Sequence, residues 1–164
     1  MAKADIEIVD GGGHHVVPTE SWQTEAGATD ILVGEPVKLK AAGSPYVIPL
    51  ADADLTIGTD TAMIGIAQSA STHTAAADGS ISIFIPLPGV KYRMKATTAA
   101  NVDTETKVKA LEGDRVVMNL TTGTYTLDEN AGDAATSAFY ICGGNYEHGT
   151  LDFTIRADAT YLAA

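Results

Sequence analysis

Apolar and polar residues alternate with a period of two along much of the chain, which is the signature of half-buried β-strands. Val90-Lys91-Tyr92-Arg93-Met94-Lys95-Ala96 is the cleanest run: Val90, Tyr92, Met94 and Ala96 share one face, and three cations share the other. Segments 37–40, 80–85, 107–111, 115–120 and 151–156 follow the same rule. Shorter apolar runs at 46–48, 63–67 and 139–142 suit strands buried on both faces. Clusters of Gly, Asp, Asn and Pro separate these runs at short intervals, so the pattern predicts many short strands and an all-β barrel or sandwich. Only the Ala-rich pieces at 70–78 and 96–101 could form a turn of helix, and neither carries an amphipathic stripe. Thr121-Thr122-Gly123-Thr124 reads as a tight hairpin. Pro86-Leu87-Pro88-Gly89 lacks two amide donors and marks a corner where the chain leaves one sheet for another.

Residues 1–29 break the pattern. A possible strand over 5–9 is followed by Gly11-Gly12-Gly13, then His14-His15-Val16-Val17-Pro18 and Ser21-Trp22-Gln23. The single Trp of the chain lies here, outside the regular ladder. Two readings of this arm stand side by side. It either folds back so that Trp22 packs on the body, or it adds to the sheet edge of a partner with Trp22 as anchor and Val16, Val17 and Pro18 beside it.

The remainder follows one template twice. The first pass runs Gly34-Glu35-Pro36-Val37, then Tyr46-Val47-Ile48, then Ile64-Gly65-Ile66-Ala67, then Asp78-Gly79-Ser80-Ile81-Ser82-Ile83. The second runs Gly113-Asp114-Arg115-Val116, then Thr124-Tyr125-Thr126-Leu127, then Ala138-Phe139-Tyr140-Ile141-Cys142-Gly143, then His148-Gly149-Thr150-Leu151-Asp152-Phe153. One such unit has about four strands, too few to bury a core alone. The expected organisation is therefore an extended N-terminal arm (1–29), a first β unit (30–96) and a second (97–164) packed on it, as one small barrel or a two-lobed β body.

The template resembles that of the small capsid cement or decoration proteins of tailed bacteriophages. In that family a Gly-acid-x-Val strand opens the unit, an Ile-Gly-Ile-Ala strand follows, and an Asp-Gly-x-Ile-x-Ile strand closes it. The second pass keeps the opening but has Ile141-Cys142-Gly143-Gly144 in the middle. The resemblance spans roughly residues 30–157. It implies a non-enzymatic, all-β virion protein, assembled in the host cytoplasm and carried on the capsid exterior. There it would bridge major capsid subunits, as a homotrimer. A tail or head-fibre module that binds a host receptor or glycan is the other role the surface allows, through loops such as Asn145-Tyr146-Glu147.

Composition narrows the chemistry. Acidic residues outnumber basic ones 21 to 10 over 164 residues, a net charge of −11, so nothing draws the chain to nucleic acid or to an anionic membrane. Small residues dominate, with 26 Ala, 20 Thr and 16 Gly. The single Cys142 excludes an internal disulfide and reads as a buried small hydrophobe. No apolar stretch marks a signal peptide or a membrane span. His14, His15, His73 and His148 lack zinc-site spacing, and the acidic stretch 52–60 departs from a calcium loop at positions six and twelve. Neither metal nor cofactor is expected. The cations Lys38, Lys40, Lys91, Arg93, Lys95, Lys107 and Lys109 fall at alternate positions of expected strands. Lys91, Arg93 and Lys95 thus form a row that either solubilises an edge or faces an acidic strip of a partner.

Overall fold

A computed structural model describes residues 6–10, 12, 17–50, 63–87, 89–121, 124–130 and 137–157. The fold is all-β. The described residues form eleven strands, β1 (Glu7–Asp10), β2 (Thr19–Thr24), β3 (Pro36–Leu39), β4 (Val47–Pro49), β5 (Met63–Ala67), β6 (Gly79–Phe84), β7 (Lys91–Lys95), β8 (Arg115–Thr121), β9 (Thr124–Asp128), β10 (Phe139–Asn145) and β11 (Thr150–Ile155), with a 3-10 turn (Ala99–Asn101) and a helix, α1 (Glu105–Leu111), among them. They form two antiparallel sheets, ordered β2-β6-β5-β3-β4 and β1-β7-β11-β10-β8-β9. Among the described residues neither ladder closes. Isolated parallel bridges link Gln23 of β2 with Tyr46 beside β4 in the first, and Ala96, just past β7, with Leu127 of β9 in the second.

With β1 set aside, the two sheets have the same strand order, and several pairs match in register. Val37 sits opposite Gly65 and Pro36 opposite Ile66; Val116 sits opposite Phe139 and Arg115 opposite Tyr140. Ala67 faces Ile83 as Ile141 faces Phe153, and Trp22 faces Ile81 as Met94 faces Leu151. The Gly-acid turn is the same in both. Gly34 N donates to Ala67 O (2.8 Å), Ala67 N to Glu35 O (2.8 Å) and Glu35 N to Leu32 O (3.2 Å). Gly113 N donates to Ile141 O (2.8 Å), Ile141 N to Asp114 O (3.0 Å) and Asp114 N to Leu111 O (3.0 Å). Gly34 and Gly113 adopt φ of +83° and +93°, which a side chain would strain. These bonds make Ile141 the counterpart of Ala67, whereas the motif resemblance aligns it with Ile64.

The packing explains the apolar runs. Tyr92, Met94, Val116, Met118, Phe139, Ile141, Leu151 and Phe153 fill a core under the six-stranded sheet, with Phe153 stacked on Tyr92 and edge-on to Phe139. Ile31, Val37, Val47, Ile81 and Ile83 form a second cluster inside the five-stranded sheet. Strand β5 serves both: Ile64 and Ala67 face the smaller cluster, Met63 and Ile66 the larger. A Cβ on Gly65 would lie 2.1 Å from Phe84 O, so only glycine fits between β5 and β6. Tyr125 of β9 donates from its hydroxyl to Leu50 O (2.6 Å, buried), just beyond β4, and ties the sheets together.

Three sequence expectations change. Segment 107–111 is helix α1, not a strand. Alternation over five residues also places Val108 and Leu111 on one helical face, and Thr104 caps the helix by accepting from Lys107 N. Lys107 and Lys109 therefore pair along the helix with Asp103 and Glu105 and join no strand row. Cys142 is exposed because β10 alternates, with Phe139 and Ile141 turned inward and Tyr140 and Cys142 outward. Trp22 lies within the ladder, since Thr19–Thr24 pairs residue by residue with β6. The chain passes from the five- to the six-stranded sheet at 85–90, the corner expected from its prolines.

Candidate interaction surface

Of the segment read as an arm, β1 pairs with β7 and β2 with β6. Val16 lies outside the described residues, as do His14, His15 and the acidic stretch 52–60. Val17 is buried in the larger core. Pro18 is exposed, and its carbonyl accepts from Ile85 N (3.0 Å). Trp22 is half-buried against the smaller cluster, and its Nε1 donates to Glu20 Oε2 (3.2 Å) on the same face. Val17, Pro18 and Trp22 are thus divided between core and surface, and Trp22 keeps part of its ring at the edge of the five-stranded sheet.

The backbone of β2 has a defined polarity. The bond from Ile85 N to Pro18 O makes 18 and 85 a hydrogen-bonded pair, so the even positions Glu20, Trp22 and Thr24 turn their main-chain groups toward β6. The odd positions Thr19, Ser21 and Gln23 turn theirs away. Gln23 meets Tyr46 there. No strand among the described residues pairs with the outer edge at Thr19 and Ser21. The run of Thr, Glu, Ser, Trp, Gln and Thr without Gly or Pro is the sequence signal for this strand, hidden by the glycines before it.

The cationic row is largely neutralised within the chain. Arg93 holds Asp152 bidentately, Nε to Oδ1 at 2.7 Å and Nη2 to Oδ2 at 2.9 Å. Lys91 lies 3.8 Å from Asp10 of β1. Lys95 is exposed and has no ion pair among the described residues. Both pairs join residues aligned across neighbouring strands, which registers the sheet more than it presents a field.

Other polar clusters hold loops. Asp78 accepts from the Tyr46 hydroxyl (2.7 Å) and Ala26 N (2.8 Å), and these bonds keep its carboxyl below the usual carboxylate range. Glu35 is 1% exposed; burial pushes its carboxyl up, against the bond it accepts from Leu32 N (2.8 Å). Glu129, also buried, accepts from Thr97 N, Thr98 N, Asn101 Nδ2 and Asn130 Nδ2, and so fixes the segment before α1 to the end of β9. The sequence gives no sign of that role. An open depression of about 310 Å³ beside it is lined by Asn101, Lys107, Ala110, Leu111, Glu129 and Asn130. Its polar groups are engaged with one another: Asn101 with Glu129 and Asn130, Lys107 with Ala100 O and Asp103. His73 is enclosed, with Nε2 2.9 Å from Ala28 O. Partial desolvation raises the Cys142 thiol, which weakens it as a nucleophile. Among the described residues no group of three or more His, Cys, Asp or Glu is placed to hold a metal ion, and no helix is long and apolar enough to cross a membrane.

No protein-family model and no curated protein sequence matches the chain.

Proposed function

We propose that this chain is a non-enzymatic virion protein on the exterior of a tailed-phage head, where it bridges major capsid subunits and stabilises the shell, associating with itself as a homotrimer. The observation that carries the reading is the use made of the motif residues. Gly34-Glu35-Pro36-Val37, Ile64-Gly65-Ile66-Ala67 and Gly79–Phe84 are the segments that resemble decoration proteins, and they form one interlocked set of neighbouring strands, β3, β5 and β6. Their side chains fill the interior, so the motif specifies a scaffold and leaves function to the surface. The same interlock recurs at Gly113, Asp114 and Ile141. On that ground the chain is read as a duplicated unit, each copy a small five-stranded barrel seamed at one bridge: β2-β6-β5-β3-β4, then β7-β11-β10-β8-β9. On this reading β7 belongs with the second copy, so the boundary lies before Lys91 and not at 96 as the sequence pattern suggests, and β1 is an added strand.

Bridging a shell needs contact area. A standard interface of about 1,600 Å² that is about 60% apolar contributes on the order of 20 kcal/mol gross, most of it offset by association and ordering costs. Repetition over many sites then stabilises the particle. The test is cosedimentation with undecorated, expanded heads. Saturable binding and a raised temperature of head rupture are expected, with Trp22→Ala weakening binding at least tenfold. A chain that stays in the supernatant refutes the proposal. Tyr146, 44% exposed at the turn between β10 and β11, favours the fibre-module reading as second choice. A glycan-array signal lost in Tyr146→Ala would put that reading first.

A further inference from the structure

The two sheets differ at one matched place. In the six-stranded sheet β7 carries an extra strand, β1, along the edge turned away from β11: Glu7 sits opposite Arg93, Ile8 opposite Tyr92 and Asp10 opposite Lys91. The register places Ser21 where Arg93 stands and Thr19 where Lys91 stands, because Ser21 faces Ser82 as Arg93 faces Asp152. The outer edge of β2 at Thr19 and Ser21 is therefore the counterpart of the edge that β1 covers. No described strand covers it. The two outer edges also differ in their protection. Strand β1 is broken by a register slip between Ile8 and Asp10 and carries two acids, both of which hinder further pairing. Strand β2 runs six residues in unbroken register and has no Lys or Pro within it.

The charges select the occupant. In β1 the acid Asp10 meets Lys91, and Glu7 aligns with Arg93. On β2 the corresponding positions are the neutral Thr19 and Ser21, and the charge beside them is Glu20. Glu20 is exposed, and among the described residues its Oε2 accepts from the Trp22 indole. With a net charge of −11, a second copy offering an acidic strand like β1 is mismatched. We propose that the outer edge of β2 accepts, by strand addition antiparallel to it, an extended segment of another protein that lacks acids and carries Lys or Arg to meet Glu20. Main-chain bonds at Thr19 and Ser21 supply the pairing, and the part-exposed Trp22 supplies an apolar neighbour. This rests on the matched placement of the two sheets and not on the virion role.

The test uses the full chain and a fluorescein-labelled peptide, TKVTVKT, with two controls: the acidic TEVTVET, and TKVTVKT N-methylated at alternate residues. Anisotropy titrations at low salt should show saturable binding of the basic peptide, at least tenfold weaker binding of the acidic one, and loss of binding on N-methylation. Ser21→Pro removes an outward N–H without touching the ladder to β6, so it should abolish binding, and Ser21→Ala should retain it. The N-methylated peptide reads the same contact without any change to the chain, so misfolding of the proline variant does not disarm the test. Equal binding of the plain and N-methylated peptides, retained binding in folded Ser21→Pro, or no saturable binding up to millimolar peptide would overturn the proposal. So would a self-associated wild type in sedimentation velocity that Ser21→Pro dissociates, because the occupant would then be a second copy.

Discussion

Two buried tyrosines make opposite predictions. The Tyr125 hydroxyl donates to Leu50 O at 2.6 Å, and both residues are almost wholly enclosed. Tyr125→Phe keeps the ring and removes the donor, leaving the Leu50 carbonyl buried without that bond, which costs about 2 kcal/mol, within roughly 1–3. For a domain of this length each kcal/mol moves the melting midpoint by about 2–4 °C, so a fall of about 4–8 °C is expected. The Tyr92 hydroxyl is equally buried and has no hydrogen-bond partner among the described residues. Tyr92→Phe removes a group that was desolvated without recompense, and its midpoint should stay level or rise. Scanning calorimetry and urea unfolding of the two variants beside wild type read both effects. The Tyr125 bond also joins the sheets, so wild type should unfold in a single transition. Equal shifts for the two variants, or separate transitions for the two sheets in wild type, would refute the reasoning.

Three further outcomes follow from the geometry. Gly65→Ala places a Cβ 2.1 Å from Phe84 O, and forcing β5 from β6 should cost about 3 kcal/mol or more, read as loss of the folded state by circular dichroism above moderate temperature. Glu35 has a carboxyl pKa raised by burial, so the folded chain holds its proton more tightly than the unfolded one. Stability tied to Glu35 is then fully present below the ordinary value of 4.5 and is lost as pH rises through the folded value. Glu35→Gln should raise the midpoint at pH 7 and lose that advantage below pH 4.5; a Gln variant less stable at pH 7 contradicts the account. Cys142 is exposed with a raised thiol pKa, so alkylation by iodoacetamide should be complete in the native state but slow at pH 7, accelerating only above the ordinary thiol range. Fast labelling at pH 7 would count against it.

Much of this architecture can be read from the chain because burial of one strand face writes itself as alternation. Val90 to Ala96 and Leu151 to Ile155 point inward where expected. The repeated Gly-acid turn is legible because a positive φ demands glycine at both Gly34 and Gly113. Helix α1 is hidden for the converse reason: five residues are too few to separate a period of two from one of 3.6. The outward side of Cys142 follows from alternation with Phe139 and Ile141, and reading 139–142 as a run buried on both faces conceals it. Glu129 is the extreme case, since its four donors come from 97–101 and 130 and only the folded chain assembles them. In the candidate surface, Trp22 is visible as the lone indole, but the direction of the Thr19 and Ser21 amides emerges only once β6 is in place.

The placement of β1 has a consequence for how the molecule is made. Ile8 is synthesised long before Tyr92, its neighbour across the sheet, and all of β2 to β6 emerges in between. Local hairpins such as β8–β9 close quickly, whereas a pairing over so many residues must bear a large loop-closure entropy. The five-stranded sheet can therefore assemble on the ribosome while β1 waits, and docking of β1 belongs to the last stage of maturation. A bulky fusion at the amino end would be felt there, as a slow refolding phase.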